Sequence, residues 1–141
     1  MNNPLHLIND FFDEYAAALE SFNAKFIMQY YELPCTFISD NNNTVYTDAL
    51  LLESFLIHGI AFYKIHGIIF SKPEVWTKVM WTDEMTIVKV KWNYSDNNLQ
   101  PLYSCDYQYL LRWQPDNKWK IAVAVSINEQ KNLDAWMLHH H

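Results

Sequence analysis

The stretch "MTIVKVKWNY", residues 85 to 94, alternates strictly. Thr86, Val88, Val90, Trp92 and Tyr94 fall on one side, and Ile87, Lys89, Lys91 and Asn93 on the other. A period of two is the mark of a strand with one face in a core and one in water. The same pattern recurs twice downstream. In "LYSCDYQYLLRW", Tyr103, Cys105, Tyr107, Tyr109, Leu111 and Trp113 oppose Ser104, Asp106, Gln108 and Arg112. In "NKWKIAVAVSIN", Trp119, Ile121, Val123, Val125 and Ile127 oppose Lys118, Lys120, Ala122, Ala124 and Ser126. "PEVWTKVMWTD" precedes them as a further strand, and "TDE", "SDNNLQP" and "QPDN" supply the turns. Four successive strands of this kind make an antiparallel meander whose apolar face needs a second layer.

The N-terminal half supplies that layer. Asn3-Pro4 has the chemistry of a helix start. Ile8, Phe11, Phe12, Tyr15, Leu19, Phe22, Phe26 and Tyr30 then recur at three- and four-residue steps. The spacing predicts one helix over roughly residues 4 to 31, limited by Pro34. "CTFIS" reads as a short strand and "DNNN" as a turn. Asp48 is placed to cap a second helix with an apolar face through Leu51, Leu52, Phe55, Leu56 and Ile60, ending near Gly67. Helices first and a meander after is an α+β layout, with the helices on one face of the sheet. It spans 1–131 as one domain, with 132–141 as a C-terminal tail.

Composition narrows the functional classes. The net charge of −6 opposes nucleic acid and anionic membrane surfaces as partners. No apolar run reaches the length of a membrane span, and the N-terminus lacks the pattern of a secretion signal. The expectation is therefore a cytoplasmic protein, in which the two Asn-X-Ser/Thr matches at Asn42 and Asn93 carry no meaning. Cys35 and Cys105 read as two buried thiols, without a CxxC or any zinc-type spacing. His139, His140 and His141 match the end of a purification tag and are set aside from metal reasoning. No metal or cofactor is expected, since there is no HExxH, glycine-rich phosphate loop or GxSxG. Aromatic residues make up 16% of the chain. They suit either a large aromatic core or a cavity walled by rings.

This layout resembles the nuclear-transport-factor-2-like cone, a superfamily that includes ketosteroid isomerases and SnoaL-like polyketide cyclases. "YLLRWQPDNKWKI" is similar to the family's closing hairpin, and "MNNPLHLINDFFDEYAAAL" to the opening helix of the isomerases. The resemblance implies a cone-shaped curved sheet packed on N-terminal helices, and no cofactor. It also implies a homodimer through the outer sheet face, where Ala122 and Ala124 would allow close approach. The isomerase oxyanion-hole tyrosine falls on Tyr15. Its neutral aspartic acid falls at or beside Tyr109, a departure, although a phenol can also donate. Its general base falls at Ser39 by ungapped counting, with Asp40 one residue later.

A one-residue slip turns a strand side chain to the other face, so Asp40 has two readings. It is either a base at a cavity mouth or a turn residue bonding its own backbone. Tyr15 is an oxyanion donor or a core tyrosine. Tyr107 and Tyr109 line a pocket or fill a core. His58 and His66 lie about 80° apart around a helix, which is no metal pair. His58 is carried forward as a ligand contact against the plainer reading of a solvated histidine.

Two functions follow. The first is a small-molecule cavity protein lined by Tyr15, Phe37, Ser39, Trp92, Tyr107, Tyr109 and Trp119. If catalytic, it would do cofactor-free isomerisation, dehydration or cyclisation of an apolar substrate, with Asp40, Tyr15 and Tyr109 in the catalytic roles. The second is a non-catalytic homodimeric or protein-interaction module whose cone is filled by its own rings.

Overall fold

A computed structural model describes residues 7–140. The expected start at Asn3-Pro4 lies outside those residues. The first helix, α1 (Ile8–Glu20), buries Ile8, Phe11, Phe12, Tyr15, Ala16 and Ala18, as its stripe predicts. The helix does not continue to residue 31. Phe22 takes a left-handed φ of 55°, and Asn23 caps a separate short helix, α2 (Ala24–Met28), by accepting from the Phe26 amide at 3.2 Å. An Asn inside an apolar stripe competes for the backbone and favours a cap over a helix interior.

The first strand, β1 (Tyr31–Ile38), therefore begins before the expected "CTFIS" and takes in Pro34. Pro34 follows a cis bond, and the pairing of β1 with its parallel neighbour shifts register between Tyr31 and Thr36. That is where a strand tolerates a residue without an N–H. β2 (Asn43–Tyr46) returns antiparallel to β1. Helix α3 (Ala49–Ile65) opens as the sequence suggests, with the Asp48 carboxylate accepting from the Leu51 amide at 2.9 Å. It buries Leu52 and Leu56. Gly67, at φ 72°, turns the chain out of it, as only glycine does without strain.

Four long strands follow: β3 (Phe70–Thr82), β4 (Met85–Ser95), β5 (Pro101–Trp113) and β6 (Trp119–Ser126). The six strands form one curved sheet in the order β2-β1-β6-β5-β4-β3. The architecture is the α+β cone expected from the sequence. β4 and β5 keep the predicted faces, with Thr86, Val88, Val90, Trp92 and Tyr94 all buried.

β6 does not keep them. Leu110 pairs with Val123 and Leu111 with Ile121, so Ala122 is an extra residue in the ladder. A bulge of one residue exchanges the faces beyond it. Trp119 and Ile121 face inward before the bulge, and Ala124 is buried after it. Ala124 therefore does not belong to an outer dimerisation face.

Residues 132–140, expected as part of a tail, are helical. Helix α4 (Glu129–His140) starts directly after β6 and buries Leu133. Its start is tied down by Asn128. That side chain accepts from the Asp106 amide at 2.7 Å and donates to the Asp106 carboxylate at 3.0 Å. Asn132 donates to the Ser104 carbonyl at 2.8 Å. Asp106, read from sequence as a residue of a solvated face, is an anchor for this helix. Two strands across the sheet from β5, Glu20 accepts from the Ser71 amide at 2.9 Å, which ties α1 to β3.

Candidate functional site

The concave side of the sheet and helices α1, α3 and α4 enclose a cavity of about 720 Å³. Phe37, Ser39, Asp40, Tyr15, Trp92, Tyr107 and Tyr109 all line it. Seven of the nine residues singled out from sequence are thus brought together. Two are not. His58 is exposed on α3, with Nδ1 2.9 Å from the Ser54 carbonyl oxygen, because its helical position faces away from Leu52 and Leu56. Trp119 is buried but packs edge-to-face on Trp113 at 5.0 Å, at the hairpin end of the sheet and before the β6 bulge.

The mouth is built by the end of β1. Phe37 pairs with the inward-facing Ala124, and its ring lies 4.6 Å from Phe55 and 5.4 Å from Tyr31. Ser39 follows in the same sense, but the strand has ended at Ile38. The Ser39 amide donates to the Asn42 carbonyl at 2.9 Å, closing the turn. Asp40 sits on that bend and is exposed. It reaches the cavity from its rim, because the strand stops, rather than from an inward-pointing strand position.

The floor carries two groups of polar atoms. In one, the Tyr15 and Tyr31 hydroxyls bond each other, and the Trp92 indole N–H donates to the Tyr109 hydroxyl at 2.8 Å. Burial, which disfavours the phenolate, raises all three tyrosines above the usual phenol range. All three are neutral donors and acceptors at neutral pH. Tyr15 spends one bond on Tyr31, so it is not the unencumbered donor that the isomerase pattern implies. Tyr109 accepts from the indole and keeps its own proton for a second acceptor.

The other group centres on Glu129, which sequence reasoning passed over. The Tyr107 hydroxyl donates to its Oε1 at 2.5 Å, and the Cys105 thiol to its Oε2 at 3.7 Å. Cys105 Sγ also lies 3.7 Å from the Tyr94 hydroxyl, which accepts from Tyr63 at 3.3 Å. The residue as a whole is half-buried, but its carboxyl group rests against a thiol that is 1% exposed. Burial pushes the Glu129 carboxyl above the ordinary carboxylate range, against the lowering effect of its hydrogen bonds from Tyr107, Cys105 and Tyr94. The position carried a signal. Glu129, Leu133, Trp136 and Met137 share one face of a helix by their spacing, so a carboxylate stands in phase with an apolar stripe. Reading "NKWKIAVAVSIN" as the end of the fold hid it.

Among the described residues no three His, Cys, Asp or Glu side chains come together as a metal site, and no helix is long and apolar enough to cross a membrane.

Comparison with known proteins agrees with this architecture. The family described as NTF2-like protein (DUF6841) matches residues 5–129. An NTF-2 like protein of unknown function from Shewanella oneidensis MR-1 superposes with a TM-score of 0.69 at 16% identity, covering 88% of this chain and 98% of that one. A ketosteroid isomerase-like protein from Erwinia carotovora atroseptica SCRI1043 gives 0.64 at 13% identity, covering 90% and 97%. A domain of unknown function with a cystatin-like fold from Nostoc punctiforme PCC 73102 gives 0.71 at 12%, covering 96% and 86%. At these identities the likeness is one of fold. No curated protein matches the chain.

Proposed function

This chain belongs to the NTF2-like family DUF6841, and from that premise we propose that it is a small-molecule-binding protein whose ligand has an apolar body and one polar head. One observation carries the reading: the cone is not filled by its own rings but keeps a cavity of about 720 Å³. That volume lies in the range of about 300–1,000 Å³ typical of sites for small organic molecules. The wall is apolar at Phe37, Phe55, Leu56 and Phe62, and hydroxyl-bearing at Tyr63, Tyr94, Tyr107 and Tyr109. Such a wall desolvates a hydrocarbon body and leaves polar groups for a single head group.

The reading is of binding first. Acid–base turnover of the isomerase, dehydratase or cyclase type needs a carboxylate set inside the cavity. Asp40, on an exposed bend, is poorly placed for that role. Glu129, against Tyr107 and Cys105, is the better placed proton carrier.

The test is the binding of an apolar fluorescent dye, Nile red. Saturable binding that raises the melting temperature is expected, because a ligand held only by the folded state must stabilise it. A dye that neither binds saturably nor shifts the melting temperature refutes the open cavity.

A second reading rests on a different surface. On β3, Trp76 and Trp81 are 53% and 64% exposed, with Val79 beside them. A homodimeric interaction module using this outer edge of the sheet would cover them. A solution mass of one chain, unchanged between dilute and concentrated protein, removes it.

A further inference from the structure

Resting on the cavity reading above, we propose that the polar head of the ligand is an organic cation, a protonated or quaternary amine, held by Glu129 and the phenol rings around it. A carboxylate withdrawn from water needs a cation or several strong donors to offset lost hydration. Glu129 has one hydroxyl donor, one thiol and a neighbouring phenol, all neutral. Among the described residues no basic side chain pairs with it; the ion pairs there are Lys72 with Glu20 and Arg112 with Glu32. The basic residue of the cavity wall is Lys131, which is exposed. Among the described residues, the groups whose ionisation the Glu129 charge disfavours are neutral phenols and a thiol: Cys105, Tyr103 and Tyr107 from β5, Tyr94 from β4, Tyr63 from α3 and Tyr15 from α1.

The surroundings supply the other half of a cation site. Tyr63, Tyr94, Tyr107, Tyr109 and Trp92 bring electron-rich rings to the same cavity. Rings of this kind attract ammonium groups, most strongly where water is excluded. Asp40 adds a second carboxylate at the rim, and the chain as a whole carries a net charge of −6. An anionic head group would meet two carboxylates and one exposed lysine. A neutral carbonyl would accept from Tyr109 or from protonated Glu129, and would leave the ionised carboxylate, the ring faces and the rim unused. A cation uses the carboxylate, the rings and the rim together.

The two alternatives have opposite pH signatures. A cation needs ionised Glu129, so its affinity rises as pH rises through the titration of that group. A ligand accepting a hydrogen bond from the protonated acid loses affinity over the same range.

The experiment displaces bound Nile red from the full chain with benzyltrimethylammonium and, in parallel, with its uncharged isostere neopentylbenzene. The cation is expected to displace the dye at lower concentration, and more strongly as pH rises. Glu129→Gln is expected to weaken the cation about 30-fold or more, the scale of removing one member of a desolvated charge pair, while leaving the isostere as it was. Displacement by both compounds alike, insensitive to pH and to Glu129→Gln, overturns the cation and leaves the cavity. A cation that fails to displace a dye that binds does the same. A dye that does not bind takes both proposals down. Should Glu129→Gln not fold, the pH profiles of the two displacers on the unaltered chain decide alone.

Discussion

Two carboxylates reach the cavity from just beyond the ends of neighbouring parallel strands, and they differ in what holds them. Asp40 stands where β1 runs out. Its neighbours are a run of asparagines, its backbone is a bend closed by Ser39 and Asn42, and water reaches it freely. Glu129 stands where β6 hands over to α4. Asn128 and Asn132 pin the backbone on either side of it to β5, and Tyr107 and Cys105 hold its two oxygens. An acidic residue next to a strand end is common turn chemistry. An acidic residue set against a buried thiol and an apolar helix face costs stability and calls for a functional explanation. The rim and the floor are thus different regions in kind, one hydrated and locally determined, the other desolvated and determined by packing.

The largest break in this comparison comes from the floor itself. Trp92 is 1% exposed, holds the Tyr109 hydroxyl and lies 5.9 Å from the Tyr15 ring. Trp92→Ala is expected to cost about 3–5 kcal/mol in urea unfolding, the range for deleting a large buried ring. A loss below about 1 kcal/mol would mean that the floor is as yielding as the rim.

The second test reads Glu129 through stability against pH. Its carboxyl titrates above the ordinary 4.5 in the folded chain, so the folded state holds the proton more tightly than the unfolded one. That contribution to stability is fully present below the unfolded value and is lost as pH rises through the folded one. Glu129→Gln is expected to flatten this part of the stability curve. Tyr107→Phe is expected to extend it to higher pH, since it removes the donor that favours the anion, and to cost about 1–2 kcal/mol. An unchanged slope in Glu129→Gln would show that the carboxyl is as hydrated as Asp40, and the contrast between the two would collapse.

The smallest effect belongs to the rim. Asp40→Asn is expected to shift unfolding stability by no more than about 0.5 kcal/mol, as for an exposed position. A larger loss would show that the bend, and not the floor, organises the cavity.

The sequence conveyed the fold more fully than the site, and particular residues show why. Alternation in β4 and β5 is a local property, repeated over a dozen residues, and both strands kept their faces. The Asp48 cap and the Gly67 exit bound α3 by chemistry that acts within one turn. The failures came where one residue changes a count. Ala122 bulges, and Ala124 turns from the outer face to the cavity. Asn23 caps, and a predicted long helix becomes two. Tyr15, Trp92, Tyr107 and Tyr109 were legible as cavity residues because each lies in phase with an apolar face. Trp119 was in phase as well, but packing against Trp113 placed it at the wrong end of the sheet.

The sequence by itself determined that this chain forms an antiparallel meander backed by helices, with aromatic rings on the face turned to a core. Periodicity is written residue by residue and each element reads its own stretch. Only the tertiary structure decided which of the cavity's two carboxylates is withdrawn from water and which stays at the hydrated rim. That choice depends on where β1 stops, on a bulge that exchanges faces in β6, and on α4 docking across β5. Those are contacts between segments distant in the chain, and no local pattern encodes them.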